Sequence, residues 1–139
     1  MKNCKRKIQN MSLIRKLFKG SNSASMDQDL PWTPLSEASQ IAEIKENSKS
    51  KTQIIFKHST RCGISSMVMN RFKNAYDLSE NQADLFYLDL IENRGVSNAV
   101  ADTFGIRHES PQLLIVRNGS VVKHDSHSGI NEINLDEYI

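Results

Sequence analysis

Cys62 lies where an apolar run changes into a helical pattern, so a thiol stands at a strand–helix junction. Ile54, Ile55 and Phe56 form the β-branched and aromatic run that is typical of a buried central strand. At the start of a helix, unpaired backbone N–H groups and the helix dipole favour a negative charge. The position therefore favours the thiolate, the form of cysteine that acts as a nucleophile.

An inert, buried cysteine is the main alternative, because free cysteine is often buried. His58 and Arg61 argue against it, since they add one possible and one permanent positive charge beside the thiol. After Cys62, apolar residues recur at steps of three and four and predict a helix buried along one side. The residues of this stripe are Ile64, Met67, Val68, Phe72, Ala75 and Leu78.

The chain of 139 residues is long enough for one domain with a core. Residues 1–20 carry seven basic and no acidic residues, so the remainder carries −5 of the net charge of +2. We predict a basic, disordered tail and linker over residues 1–29 and a domain over residues 30–139.

A mildly acidic domain lacks the basic surface that nucleic-acid binding requires. Two cysteines, with no membrane-length apolar run, favour a cytoplasmic protein without stable membrane association.

Strands and helices alternate along the predicted domain. Ser36 begins a capping pattern for a helix that uses Ile41 and Ile44. The further elements are a strand at 54–56, a helix from 62, a strand at 83–91, a helix at 94–104, a hairpin at 113–123 and a terminal helix at 130–139. Asn118-Gly119 marks the hairpin turn. This α/β order is that of the thioredoxin-like fold, a mixed sheet of about four strands flanked by helices.

Five segments carry a narrower resemblance. They read Phe-Lys-His-Ser-Thr-Arg-Cys-Gly-Ile-Ser (56–65), Tyr-Leu-Asp (87–89), Arg-Gly-Val-Ser-Asn (94–98), His-Glu-Ser-Pro-Gln (108–112) and Ser-His-Ser-Gly-Ile (126–130). In this order they closely resemble the YtxJ family of monothiol bacilliredoxins, from about Trp32 to the end. In that family a proline usually follows the cysteine, whereas this chain has Gly63.

The resemblance implies a thiol–disulfide oxidoreductase that removes bacillithiol from protein mixed disulfides through Cys62. Bacillithiol would be the co-substrate, and no cofactor or metal is expected to be bound permanently. The implied partners are bacillithiolated client proteins, and a monomer is expected. Ser65 stands where dithiol relatives carry a resolving cysteine, so an external thiol would have to restore Cys62.

Four further residues are predicted to bind substrate: Arg61, Ser110, Pro111 and His58. In this fold the backbone of Ser110, just before Pro111, can pair with an extended thiol ligand, because the proline has no N–H for a further ladder bond. A cis Ser110–Pro111 bond would be a specific feature of the site. Arg61 can pair with a carboxylate of bacillithiol or remain a solvated charge. The histidines can hydrogen-bond at the rim or be structural; they are His58, His108 and His127.

Two other functions compete. Cys-Gly-Ile-Ser (62–65) is one residue from the Cys-Gly-Phe-Ser loop of monothiol glutaredoxins, which bind an iron–sulfur cluster between two subunits. A domain without redox activity, serving stress or interaction, is the third possibility. His124 and His127 beside Asp125 suggest a metal site only weakly, because no matching ligands occur elsewhere in the sequence.

Overall fold

The computed structural model describes residues 30–139, in which one mixed sheet has the order β1-β3-β2-β4-β5. The strands are β1 (Trp32–Pro34), β2 (Thr52–His58), β3 (Ala83–Asp89), β4 (Gln112–Arg117) and β5 (Ser120–Ser126). The helices are α1 (Ser39–Asn47), α2 (Gly63–Ala75) and α3 (Arg94–Phe104), followed by 3₁₀ helices at His127–Glu132 and Leu135–Tyr138. β3 pairs in parallel with β1 and β2, whereas β4 is antiparallel to β2 and β5. The predicted mixed α/β architecture is confirmed.

β2 is the central strand, and all seven of its residues are buried. Because successive side chains of a strand point to opposite faces, β2 contributes to two separate cores. Ile54 and Phe56 join the core beneath α2, with Val68 and Phe72. Ile55 joins the core beneath α1 and α3 on the other face, where its neighbours are Leu35, Ile41, Ile44, Val100, Leu114 and Val116.

Local sequence signals explain several of the boundaries. Gln40 Oε1 accepts hydrogen bonds from the N–H groups of Ser36 and Glu37, both 2.9 Å away, and so closes the start of α1. α3 ends at Gly105, whose φ of 66° is readily available to glycine. Asn118 and Gly119 both have positive φ, 53° and 81°, as the predicted hairpin turn requires.

Three expectations differ from the structure. The sheet has five strands because β1 also pairs with β3; three residues ending in proline give too weak a strand signal to detect. The single terminal helix is replaced by the two short 3₁₀ helices. Ile64 and Met67 are 55% and 49% exposed and do not face the core, whereas the predicted Val68 and Phe72 do, together with Ser65 and Met69. Leu78 of the predicted stripe lies beyond Ala75, the end of α2.

The predicted domain start at residue 30 remains a prediction, because residues 1–29 lie outside the described part of the chain. Among the helices of residues 30–139, none has the length and apolar composition needed to cross a bilayer.

Candidate active site

Cys62 is the N-cap residue of α2 and follows the loop that leaves β2 at His58. Its thiol is free and partly exposed. Its N–H donates to Ser59 O at 3.2 Å, and its carbonyl oxygen accepts from the N–H of Ser66 at 3.1 Å. The side chain makes no capping hydrogen bond to the helix. The helix dipole therefore acts on the thiol without direct hydrogen bonds from the first-turn amides.

Ser65 is fully buried and ties the start of α2 to the end of β2. Its Oγ accepts from the N–H of Ser59 at 3.2 Å and lies 2.7 Å from His58 Nδ1. Burial lowers the pKa of His58, although the charge of Asp89 opposes this. A neutral imidazole can accept the Ser65 hydroxyl proton at Nδ1, which leaves a hydrogen on Nε2. The position three residues after Cys62 thus holds a structural hydroxyl in place of a second thiol.

Ser110 and Pro111 lie at the same edge of the sheet as the end of β2. Lys57 is paired with Gln112, the first residue of β4, and Pro111 directly precedes Gln112. The Ser110–Pro111 peptide bond is cis, as expected from the sequence. Pro111 is buried, and its carbonyl oxygen accepts from the N–H of His127 at 3.0 Å. Sheet pairing therefore brings the proline loop and the cysteine loop to one end of the molecule.

Sequence reasoning missed a buried polar cluster beneath the proline loop. Lys57 is completely buried, and its Nζ donates to Ser97 O at 3.3 Å and lies 3.4 Å from His108 Nδ1. Ser97 Oγ lies 3.2 Å from the same nitrogen. Burial lowers the pKa of Lys57 to about 8, and burial together with Lys57 and Arg94 lowers the pKa of His108. A charged residue inside an otherwise buried strand was the signal that could have revealed this cluster.

The other histidines lie at the surface. His127 has a φ of 56°, and its Nδ1 is 3.9 Å from Glu109 Oε1. The carboxylate of Glu109 also accepts from the Ser126 hydroxyl. Among residues 30–139, no three His, Cys, Asp or Glu side chains are grouped so that they could hold a metal ion, and the segment with His124 and Asp125 forms no such group.

Arg61 is exposed, and within residues 30–139 its side chain makes no ion pair. Its guanidinium is thus free to contact a ligand beside Cys62, but no contact in the structure assigns it a role. The exposed side chains of Ile64 and Met67 follow Cys62 along the first turns of α2. Along the chain, Cys62 is therefore preceded by an exposed charged residue and followed by two exposed apolar residues.

Solved structures share this fold. A structure described as a candidate oxidoreductase with a thioredoxin fold is 30% identical, with a TM-score of 0.65, and the match covers 77% of this chain and 92% of that one. The thioredoxin of Malassezia sympodialis matches with 18% identity, a TM-score of 0.58 and coverage of 78% and 91%. The thioredoxin of Schistosoma mansoni matches with 16% identity, a TM-score of 0.59 and coverage of 78% and 95%. The last two matches show the fold alone.

A family model described as monothiol bacilliredoxin BrxC matches residues 33–135. The match includes Cys62, Ser65 and the loop with Pro111, and it confirms the resemblance seen in the sequence motifs. Together with the thioredoxin fold, it supports a thiol–disulfide redox role for the protein. The chain belongs to the monothiol bacilliredoxin BrxC family.

Proposed function

We propose that the protein removes bacillithiol from protein mixed disulfides by a monothiol mechanism. The Cys62 thiolate attacks the bacillithiol sulfur, the client leaves as a thiolate, and a Cys62–bacillithiol disulfide forms. A second bacillithiol thiolate then attacks that sulfur, which releases bacillithiol disulfide and restores Cys62. The reaction is proposed to take place in the cytoplasm, with the protein acting as a monomer.

One observation carries this proposal: Cys62 is a partly exposed thiol at the start of α2, whereas the neighbouring position of a resolving thiol is filled by the buried Ser65. Ser65 is also held by its contacts with Ser59 and His58. A serine cannot form a disulfide, so the bound bacillithiol stays on Cys62 until an external thiol removes it.

Substrate contacts are assigned by the same proposal. The Ser110 backbone pairs with the extended thiol ligand, and Pro111 shapes that position because it has no N–H to donate. Arg61 pairs with a carboxylate of bacillithiol, and the planar guanidinium is well suited to this contact. His58 supports the loop through Ser65. Ile64 and Met67 offer apolar surface to the client chain beside the disulfide.

The test is transfer of bacillithiol from a modified client. We expect Cys62→Ser to abolish release of the client thiol, because the hydroxyl cannot replace the thiolate as nucleophile. Cys4→Ser is the matched control, since it also removes one thiol, and it should leave the rate unchanged. Mass spectrometry should find a bacillithiol adduct on Cys62 during turnover. Equal rates for Cys62→Ser and the unmodified protein would refute the proposal.

Anaerobic purification tests the iron–sulfur alternative in the same preparation. A brown protein whose visible absorption is lost in Cys62→Ser would identify a cluster carrier, because cysteine thiolates are the ligands of such clusters. A colourless protein that accepts bacillithiol on Cys62 supports the oxidoreductase.

A further inference from the structure

A cavity of about 320 Å³ lies between α2 and the strands β1 and β3, on the side of the sheet where α2 packs. Its walls combine aromatic rings with polar side chains from α2; those used below are Trp32, His58, Ser66, Asn70, Lys73 and Tyr87. The ring centroid of Tyr87 is 5.7 Å from that of Trp32 and 5.8 Å from that of His58. One side of the cavity is therefore a continuous aromatic wall.

His58 places a hydrogen-bond donor in this wall. The residue is only 7% exposed, and its Nδ1 is occupied by the Ser65 hydroxyl. In the tautomer in which the Ser65 hydroxyl donates to Nδ1, the neutral ring carries its hydrogen on Nε2. Within residues 30–139, that nitrogen makes no hydrogen bond to protein. His58 lines the cavity, so an acceptor on a bound ligand can replace water as the partner of an Nε2 hydrogen.

Lys73 supplies the positive charge of the cavity. It is half-buried, and within the described residues no carboxylate lies close enough to form an ion pair with it. Asn70 and Ser66 add an amide and a hydroxyl on the same helix. The charge of Asp89 acts on His58 and Tyr87, and its Oδ1 accepts from the N–H groups of Ile91 and Glu92, whose dipoles offset part of that charge.

We propose that this cavity binds a small organic carboxylate whose remaining part is apolar or ring-shaped. The carboxylate would accept from Lys73 and from His58 Nε2, and the ring would lie against Trp32 and Tyr87. A single cation beside aromatic walls suits a carboxylate better than a dianionic phosphate, which favours several donors.

The bound carboxylate can belong to a thiol ligand held on Cys62 or to a free carboxylic acid. Ser66 lines the cavity, and its N–H bonds the carbonyl oxygen of Cys62. The cavity therefore opens one helical turn from the thiol, within reach of the acidic part of a thiol ligand held on Cys62. A free carboxylic acid is the other source. Only the first source depends on the proposed exchange function.

Fluorescence can test binding directly, because Trp32 is the single tryptophan of the chain and lines the cavity. We expect benzoate to change Trp32 emission saturably in the full chain. Benzamide, which has the same shape without the charge, should bind about tenfold more weakly. No saturable change, or equal affinity for both compounds, would overturn the proposal.

Two charge variants on α2 provide matched controls. Lys73→Met should weaken benzoate binding about tenfold, whereas Arg71→Met, which removes an exposed charge from the same helix outside the cavity, should change it less than about twofold. An equal loss of benzoate affinity in both variants would show that the net charge of α2, and not a contact with Lys73, determines binding, and it would overturn the proposal. Circular dichroism establishes that both variants are folded.

Disulfide adducts on Cys62, prepared in the Cys4→Ser variant, distinguish a carboxylate that belongs to a thiol ligand from a free carboxylic acid. Exchange with glutathione disulfide or with cystamine releases one thiol and leaves glutathione or cysteamine on Cys62. If the acid of a thiol ligand fills the cavity, the glutathione adduct will block benzoate and the cysteamine adduct will not. If the cavity serves a free acid, neither adduct will block it. The benzoate titration requires no catalytic turnover. A protein that fails to transfer bacillithiol can therefore still give a clear result for benzoate binding.

Discussion

Lys57 has a side chain that water normally surrounds, yet it is completely buried within β2. Its ammonium has a carbonyl and an imidazole as neighbours, and within residues 30–139 no carboxylate is paired with it. Burying a charge without a counter-ion is costly, which explains why the pKa of Lys57 is lowered to about 8.

The cost of burying the charged Lys57 should be measurable in the pH dependence of the free energy of unfolding. Between pH 8 and pH 10.5, folded Lys57 has released a proton that the unfolded chain still binds. The free energy of unfolding contributed by Lys57 should thus rise with pH across this window, and below it the full penalty remains. We predict that Lys57→Met removes this rise in urea unfolding. Lys49→Met, which removes an exposed lysine, should retain it. Parallel pH profiles for the unmodified protein and Lys57→Met would contradict the prediction.

Functional residues that lie close together in the sequence could be predicted, whereas a cluster formed by residues far apart in the sequence could not. Cys62 and Pro111 stand directly beside strand signals in the sequence, and the role predicted for Ser65 comes from the resemblance to dithiol relatives. Lys57 contacts Ser97 and His108, which lie 40 and 51 residues away. The lysine within the apolar strand indicates that a buried polar partner is needed, but no local pattern identifies Ser97 and His108 as that partner.

Element boundaries were predicted well where turn chemistry marks them. The predicted bounds of α3 are those of the structure, because Gly105 ends the helix in a conformation that few other residues adopt. The apolar stripe of α2 was wrong at Ile64 and Met67 for a different reason. Periodicity identifies apolar positions but not which side of the helix meets the sheet, and α2 buries Ser65, Val68, Met69 and Phe72 while Ile64 and Met67 are exposed.

Gly63 permits a prediction about the start of α2. It is the first helical residue, and no atom lies within 4 Å of the position that a Cβ would occupy. Cys62 has φ −109° and ψ 121°, the extended conformation that a residue before proline prefers. Gly63→Pro should therefore raise the free energy of unfolding by ~0.4–1 kcal/mol, because it restricts the unfolded chain. Urea unfolding measures this change.

Gly95→Pro is the contrasting variant. A Cβ at Gly95 would also have no atom within 4 Å, but this glycine is the second residue of α3 and follows the helical Arg94. A proline there disfavours the helical conformation of Arg94, so this variant should lose stability. Loss of stability in Gly63→Pro as well would show that the start of α2 cannot accept the ring.

Strand β1 completes one edge of the sheet and covers part of the core beneath α2. Trp32 packs its ring against Phe56, Phe72 and Tyr87, with centroid distances of 6.1, 6.1 and 5.7 Å. Leu30 packs on the same core, and its carbonyl oxygen accepts from the N–H of Trp32 at 2.7 Å. The sequence placed the start of the domain near this point because a small, polar segment gives way to apolar residues. It could not show that the same residues form a strand, since β1 depends on pairing with β3.

This arrangement predicts where the chain can be shortened. A fragment of residues 30–139 contains all five strands and both cores, so it should unfold cooperatively with the same urea midpoint as the full chain. A fragment of residues 35–139 lacks β1 and the partly buried Trp32 and should lose up to about 3–5 kcal/mol of unfolding free energy, the cost of removing a large aromatic side chain from a core. Circular dichroism follows both fragments, because the shorter one has no tryptophan. If the 30–139 fragment unfolds at a markedly lower urea concentration than the full chain, residues before Leu30 contribute to the stability of the domain and the predicted boundary is wrong.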